Sequence, residues 1–450
     1  MVAPMTRLAN TSLTRLALAV ALITAFTLTG CSRRPPAESV PVVEVAPKAA
    51  VAEAAPIQIG ETDWPQWRGP RGDGTAANEE VPVKWDETTN VAWKADIPGR
   101  GHSSPIVVGS TVYLATAIPE PQKQVVIAID RATGKPRWET AVHEGGFPDH
   151  AVIHQKSSNA NSTVACDGSR LFAAFFNSGR IFVTALDLDG KRLWQQDVGA
   201  FGSKFGFAPS PILYKSTVII AGDNLSGGYI AALHRETGDV IWRKARPAVA
   251  TYSSPLLVTI GGRDQLVISG CNKLTSYNPA TGDELWSIDA IAEATCGTPV
   301  TDGTMVFASG GYPDRETVGV DANGTKVWSN KTKVYEPSLV VSGEHLFAIE
   351  DGGIAWCWDA KTGKELWKER LGGSFSASPV VCQGKLFVPN LSGETVVFEA
   401  KGDAFHEVAR NTLGNDSYSS IAVSGKELFL RIGVGNGADR KEQLVCIRQP

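Results

Sequence analysis

The chain has 450 residues, 43% of them hydrophobic and 20% charged, with 45 glycines and a formal net charge of −4 at pH 7. This is the balance of a globular protein, and it offers no basic footprint for nucleic acid. Loss of the first 30 residues would remove Arg7 and Arg15 and leave −6, with nothing basic concentrated along the chain.

The N-terminus carries Arg7 and Arg15, an apolar run from Leu16 to Leu28, and then Leu28-Thr29-Gly30-Cys31. Thirteen residues at 1.5 Å rise are too few to cross a bilayer, so residues 1–30 read as a signal peptide. Its last four residues resemble the lipobox of bacterial lipoproteins. That resemblance implies a lipid on Cys31, a place in the bacterial cell envelope, and, with Ser32 following, sorting to the periplasmic side of an outer membrane. Residues 31–62 are rich in Pro and Ala, lack aromatic residues and show no period, which predicts a flexible tether. Six further cysteines, at 166, 271, 296, 357, 382 and 446, show no CxxC or CxxCH spacing, so neither a zinc knuckle nor covalent haem is indicated. Cys271 and Cys296 are expected to approach disulfide distance.

From residue 63 onward the chain repeats. The unit is clearest in Ile354 to Trp367, a strand, an Asp, a Thr-Gly turn and a Trp that opens the next strand. Its turn residues are Asp130, Gly134 and Trp138; Asp187, Gly190 and Trp194; Gly238 and Trp242; Gly282 and Trp286; Asp321, Gly324 and Trp328; and Asp359, Gly363 and Trp367. The Gly never changes, because a tight turn between antiparallel strands calls for φ > 0. Trp-to-Trp spacing runs from 56 residues, Trp138 to Trp194, down to 39, Trp328 to Trp367, near the period of propeller blades. A seventh turn, residues 400–405, is degenerate, with Phe405 in place of the Trp.

Between the turns lie eight small-residue segments, among them Ser103-Ser104-Pro105, Ser253-Ser254-Pro255 and Ser419-Ser420, each leading into a β-rich hairpin. The count predicts an all-β fold, one eight-bladed β-propeller of four-stranded antiparallel blades over residues 63–450. The last unit has three strands, and the N-terminal strand at 91–97 is expected to supply its fourth and close the ring.

The turn from Asp359 to Trp367 resembles the repeat of the PQQ-type, quinoprotein-like propellers, and the leader WPQWRGPRGDG (64–74) is similar to the segment preceding their first blade. With the lipobox ahead, the chain resembles lipoproteins of the outer-membrane assembly factor BamB type. That implies a non-catalytic, lipid-anchored scaffold that binds a protein or an envelope component and needs no cofactor. The quinoprotein dehydrogenases of the same fold imply an alternative with PQQ and Ca²⁺, an adjacent Cys-Cys pair and carboxylate ligands. No two cysteines here are adjacent. The third alternative is a carbohydrate-binding module, with Tyr252, Tyr312, Tyr418 and Phe207 as stacking platforms.

The repeat turns fall on one face of the ring, and the longer segments gather on the other, called the top here. Insertions on one face mark a binding face. Residues at the tops of the inner strands, His102, Asn161, Tyr252, Glu336 and Tyr418, are expected to ring a central funnel. The loop at 143–159 adds His143, His150 and His154, whose spacing fits no metal-ligand pattern. No catalytic residue and no metal ligand is assigned.

Overall fold

The computed structural model describes residues 41–48, 51–76 and 80–450; the expected signal peptide, residues 1–30, and Cys31 lie outside the described residues. Thirty-two short strands form eight four-stranded antiparallel sheets. Blade 1 is typical: Ile106–Val108 nearest the axis, then Thr111–Ile118, Lys123–Asp130 and the outer Pro136–Glu144. The middle strands are buried on both faces, and their nearly continuous apolar runs follow from that. In blade 8 the strand Val91–Ile97 pairs antiparallel with Lys441–Ile447, Trp93 opposite Cys446, so the two ends of the chain close the ring.

The invariant Gly and Trp of the repeat turn out to be two halves of one contact between blades. Each indole Nε1 donates to a backbone carbonyl in the turn of the following blade: Trp138 to Leu188 at 2.8 Å, Trp194 to Arg235 at 3.0 Å, Trp328 to Ala360 at 2.9 Å. The ring then lies flat against the Gly of that turn, except after Trp367, where Gly402 faces His345 instead. At Gly363, with φ of +68°, a Cβ would stand 2.4 Å from the Trp328 ring. The backbone conformation and the neighbouring indole both require Gly there. Blade 8 joins the same series through Trp93, which donates to Arg131 at 2.9 Å and covers Gly134. Blade 7 lacks its Trp. Trp85, 3% exposed and stacked 6.4 Å from Phe387, fills the apolar cluster between blades 7 and 8 in its stead.

A second repeated feature circles the axis. Each small-residue segment holds a Ser or Thr at one equivalent position, and in all blades but one its side chain accepts a hydrogen bond from the equivalent backbone N–H one blade back. Ser104 N donates to Thr163 Oγ1 at 3.1 Å, Thr163 N to Ser210 at 2.9 Å, and Ser210 N to Ser254 at 2.9 Å. From Thr298 the series runs through Ser338, Ser378 and Ser420 back to Ser104 at 2.8–3.0 Å. Seven of eight steps are made. At the remaining one, the Thr298 hydroxyl accepts instead from Trp67 Nε1 at 2.9 Å.

Trp67 belongs to the leader, which fills the channel below this ring. Trp64 exchanges backbone hydrogen bonds with Val107 in blade 1, Pro65 accepts from Cys166 N in blade 2, and Gly74 accepts from Val381 N in blade 7. Arg68, 3% exposed, donates to the carbonyls of Pro379 at 3.0 Å and Leu339 at 2.6 Å. These partners lie one to three residues beyond the Ser/Thr ring along the inner strands, so the plug sits on the side of the repeat turns. Burial lowers the Arg68 pKa to about 10, against the raising effect of Asp73.

The described part of the expected tether also lies on the propeller. Val45 pairs with Arg243, the Ala52 carbonyl accepts from His234 Nε2 at 3.0 Å, and Gln58 N donates to Asp167 O at 3.0 Å. Residues 41–48 and 51–62 thus follow the lower face of blades 3 and 2 to Asp63, which accepts from Gly109 N at 2.9 Å in blade 1. A Pro- and Ala-rich strand without a core of its own still has backbone amides to satisfy, and the blade edges supply their partners.

Candidate functional site

Above the Ser/Thr ring the inner strands splay into a funnel of about 500 Å³. Its floor is built by register. The residue two positions before each ring Ser or Thr is His102, Asn161, Ala208, Tyr252, Cys296, Glu336, Ser376 or Tyr418, and all eight line the funnel. Because the backbone repeats, the side chains at these positions project alike. Because their identities do not, the wall is asymmetric.

Much of the wall is aromatic. His102 stacks on Tyr418 with ring centroids 4.2 Å apart and planes 3° off parallel. Burial holds the His102 pKa well below the ordinary histidine value, helped by Arg100, Arg431 and Arg440, so the imidazole is neutral. Phe205 leans on Tyr252 at 6.4 Å, and His154 meets Phe205 edge-on at 5.3 Å. Tyr312, 57% exposed, stands at the rim. Two polar atoms in this wall, Tyr252 Oη and His102 Nε2, are buried without a partner among the described residues.

Charged groups lie among these rings. Glu336 accepts from Lys156 at 2.8 Å and from the Ser376 hydroxyl. Burial opposes the Lys156 charge, yet the hydrogen bond and charge of Glu336 outweigh it and raise its pKa above the usual lysine value. Behind Glu336, Asp351 accepts from the Glu336 and Tyr335 amides at 2.7 and 3.2 Å, while burial raises its pKa. Lys204 lies 5.4 Å over the Phe205 ring and Lys333 5.7 Å over Tyr335; neither has a carboxylate within salt-bridge distance among the described residues. Three lysines from loops far apart in sequence therefore meet here. The even spread of basic residues along the chain does not carry over to the folded surface.

Of the three loop histidines, only His154 lines the funnel. His143 ends an outer strand against Phe182, at 5.0 Å, and burial beside Arg192 lowers its pKa to about 4. His150 is exposed in a short 3-10 turn. Among the described residues no group of three His, Cys, Asp or Glu side chains could hold a metal ion. Phe207 is not a platform: it is 5% exposed and packs edge-on against Phe201 at 5.6 Å, and Phe205 takes the place at the funnel. Cys271 and Cys296 are not bridged. Both are free, with Cys271 Sγ 3.9 Å from Val249 O, while Cys296 lines the funnel and burial raises its thiol pKa well above the usual value. The residues that sequence reasoning missed are Ala208, Cys296 and Ser376, although they share the register of the five it found, and Lys156, Lys204, Phe205, Lys333 and Tyr335 from the loops.

The fold and the funnel together define a class, the eight-bladed quinoprotein-like propellers with one open axial cup. The family described as "Outer membrane protein assembly factor BamB" matches over residues 75–224, 226–337 and 314–438, and the chain belongs to that family. An outer membrane protein assembly factor BamB of Burkholderia pseudomallei is 28% identical over 300 residues, 61% of this chain and 68% of that protein. The Bordetella pertussis protein of the same name is 24% identical over 372 residues, 78% and 86% of the two chains. In fold the chain also resembles a quinohemoprotein alcohol dehydrogenase from Comamonas testosteroni, with a TM-score of 0.64 at 12% identity, covering 86% of this chain and 82% of that one.

Proposed function

We propose that this protein is a non-catalytic scaffold of the bacterial cell envelope, held by a lipid on Cys31 to the periplasmic side of the outer membrane, where its top face binds a protein or envelope component of outer-membrane assembly. The observation that carries this reading is the family match across nearly the whole ring, residues 75–438. The lipobox ahead of it supports the anchor. The plug supports the choice of face, since the chain has filled the lower end of its own axis and left the upper end open.

The second reading, a PQQ- and Ca²⁺-dependent dehydrogenase, is favoured by the likeness in fold to the Comamonas enzyme. The donor set of the funnel does not suit it. A calcium site needs six or more oxygens, several of them from carboxylates. The funnel wall offers one carboxylate, Glu336, already engaged by Lys156 and Ser376 and bordered by further ammonium groups. The residues therefore do not fit the cofactor, and no quinone chemistry is assigned to them.

The test is capture from solubilised envelope by the lipidated chain. Recovery of outer-membrane assembly proteins, lost when Tyr312 and Lys204 at the rim are both changed to Ala, is the expected result. Recovery of nothing beyond an unrelated lipoprotein control, or tight binding of PQQ with Ca²⁺ and dye-coupled alcohol oxidation, would remove the scaffold reading. Cys31→Ser should release the protein in soluble form.

A further inference from the structure

We propose that the axial funnel is a binding site for an anionic saccharide, a short sugar chain bearing carboxylate or phosphate groups. The inference rests on the reading above that the top face is the working face, and it adds the ligand chemistry of that face.

Three independent features converge. The first is size and shape: about 500 Å³, closed below by the Ser/Thr ring and the plug, within the roughly 300–1,000 Å³ usual for small-ligand sites. The second is charge. Lys156 is spent on Glu336, but Lys204 and Lys333 face the cup with no carboxylate within salt-bridge distance among the described residues, Lys333 feeling Glu350 and Asp351 only at longer range, in a chain whose net charge is −4. Each ammonium stands over an aromatic ring, so a bound anion would meet the cation and the ring edge together. The third is unmet hydrogen bonding. Tyr252 is 7% exposed, and its hydroxyl lies buried in the wall without a partner among the described residues, as does His102 Nε2. Buried polar atoms of this kind cost stability unless something completes them.

A sugar acid satisfies all three. Its hydroxyls both donate and accept, directly or through a bridging water, so they suit a phenol and a neutral imidazole alike. Its ring faces cover exposed aromatic surface, which Tyr312, 57% exposed, and Phe205, 39% exposed, provide at the mouth. Its carboxylates meet Lys204 and Lys333. A neutral sugar would leave the ammonium groups unpaired. An acidic peptide would pair them, and its backbone amides could serve the phenol and imidazole, but it would bring no ring face to cover Tyr312 and Phe205.

The experiment is calorimetric titration of the full-length chain in detergent with tri-galacturonate, maltotriose and penta-glutamate. Tri-galacturonate should bind saturably, more weakly as salt rises, and at least about tenfold more tightly than either other probe. The double variant Lys204→Gln/Lys333→Gln should weaken it by about tenfold or more with an unchanged melting temperature, and Tyr312→Ala should also weaken it. Free galacturonate separates two sources of the same chemistry: much weaker binding than the trimer points to an envelope polymer, equal binding to a free sugar acid, and either supports the site. No saturable binding of tri-galacturonate at millimolar concentration, equal binding of penta-glutamate, or an unaffected double variant would overturn the inference. Protein capture from the envelope that persists in the double variant would leave the scaffold reading standing while the saccharide inference fell.

Discussion

The two ends of the propeller axis are made from the same eight strands and have been put to opposite uses. Below the Ser/Thr ring, the chain spends its leader on itself: Trp64 at 2% exposure, Arg68 at 3% and a run of glycines occupy the channel, and their partners are mainly backbone carbonyls and amides. Above the ring, equivalent positions carry His, Asn, Tyr, Glu and Cys, and Lys204 and Lys333 make no salt bridge among the described residues. The contrast separates architecture from function. Where the repeat is obeyed or its channel filled, residues stabilise the ring; where it is broken and left open, they are free to bind something else.

Substitutions can sharpen or break that contrast. The largest loss of stability is expected from Trp64→Ala, which empties a fully packed site in the plug: about 3–5 kcal/mol by denaturant unfolding. A Trp64→Ala protein that melts like the wild type would mean that the plug is ornamental. Next comes Gly363→Ala, where positive φ and the Trp328 ring act together, at about 2–4 kcal/mol. Gly303→Ala is its control. It shares the positive φ, +89°, but has open space at the Cβ position, so only about 1 kcal/mol is expected, and equal losses would refute the inter-blade role of the Trp.

A smaller effect depends on pH. Folding lowers the His143 pKa to about 4, below its value of 6.5 in the unfolded chain, so the unfolded state binds the proton more readily between those values. The stability that comes from keeping His143 neutral is complete above about pH 6.5 and is lost as the pH falls towards 4. With its partial exposure this amounts to about 1–2 kcal/mol, and His143→Phe should flatten that part of the stability profile. The smallest change belongs to the funnel rim. Tyr312→Ala should alter stability by no more than about 0.5 kcal/mol, and a larger loss would place Tyr312 in the architecture after all.

Much of this was legible in the residues. The constant Gly and Trp, the eight small-residue segments and the strand at 91–97 are local patterns with a period, and a period is what a sequence displays openly. The five funnel positions found in advance were those with distinctive side chains. Ala208, Cys296 and Ser376 share their register but carry no chemical signal that marks them out. The lysines were invisible as a group because residues 156, 204 and 333 meet only when blades 2, 3 and 6 face one axis. The plug could not be read at all: Arg68 donates to carbonyls 271 and 311 residues away, and a backbone carbonyl leaves no trace in residue identity. The same holds in part for residues 41–48 and 51–62, which contribute mainly their own backbone groups to pairings such as Val45 with Arg243 and Gln58 with Asp167.

The central claim is that the open, symmetry-broken face is the one that engages the envelope. It is tested most directly by placing a photo-crosslinking amino acid at Tyr312 on the funnel rim or at Lys361 in a repeat turn of the opposite face, both in the full-length chain in cells. The account predicts discrete, reproducible adducts from position 312 and none from 361. Adducts from 361 with none from 312 would contradict it.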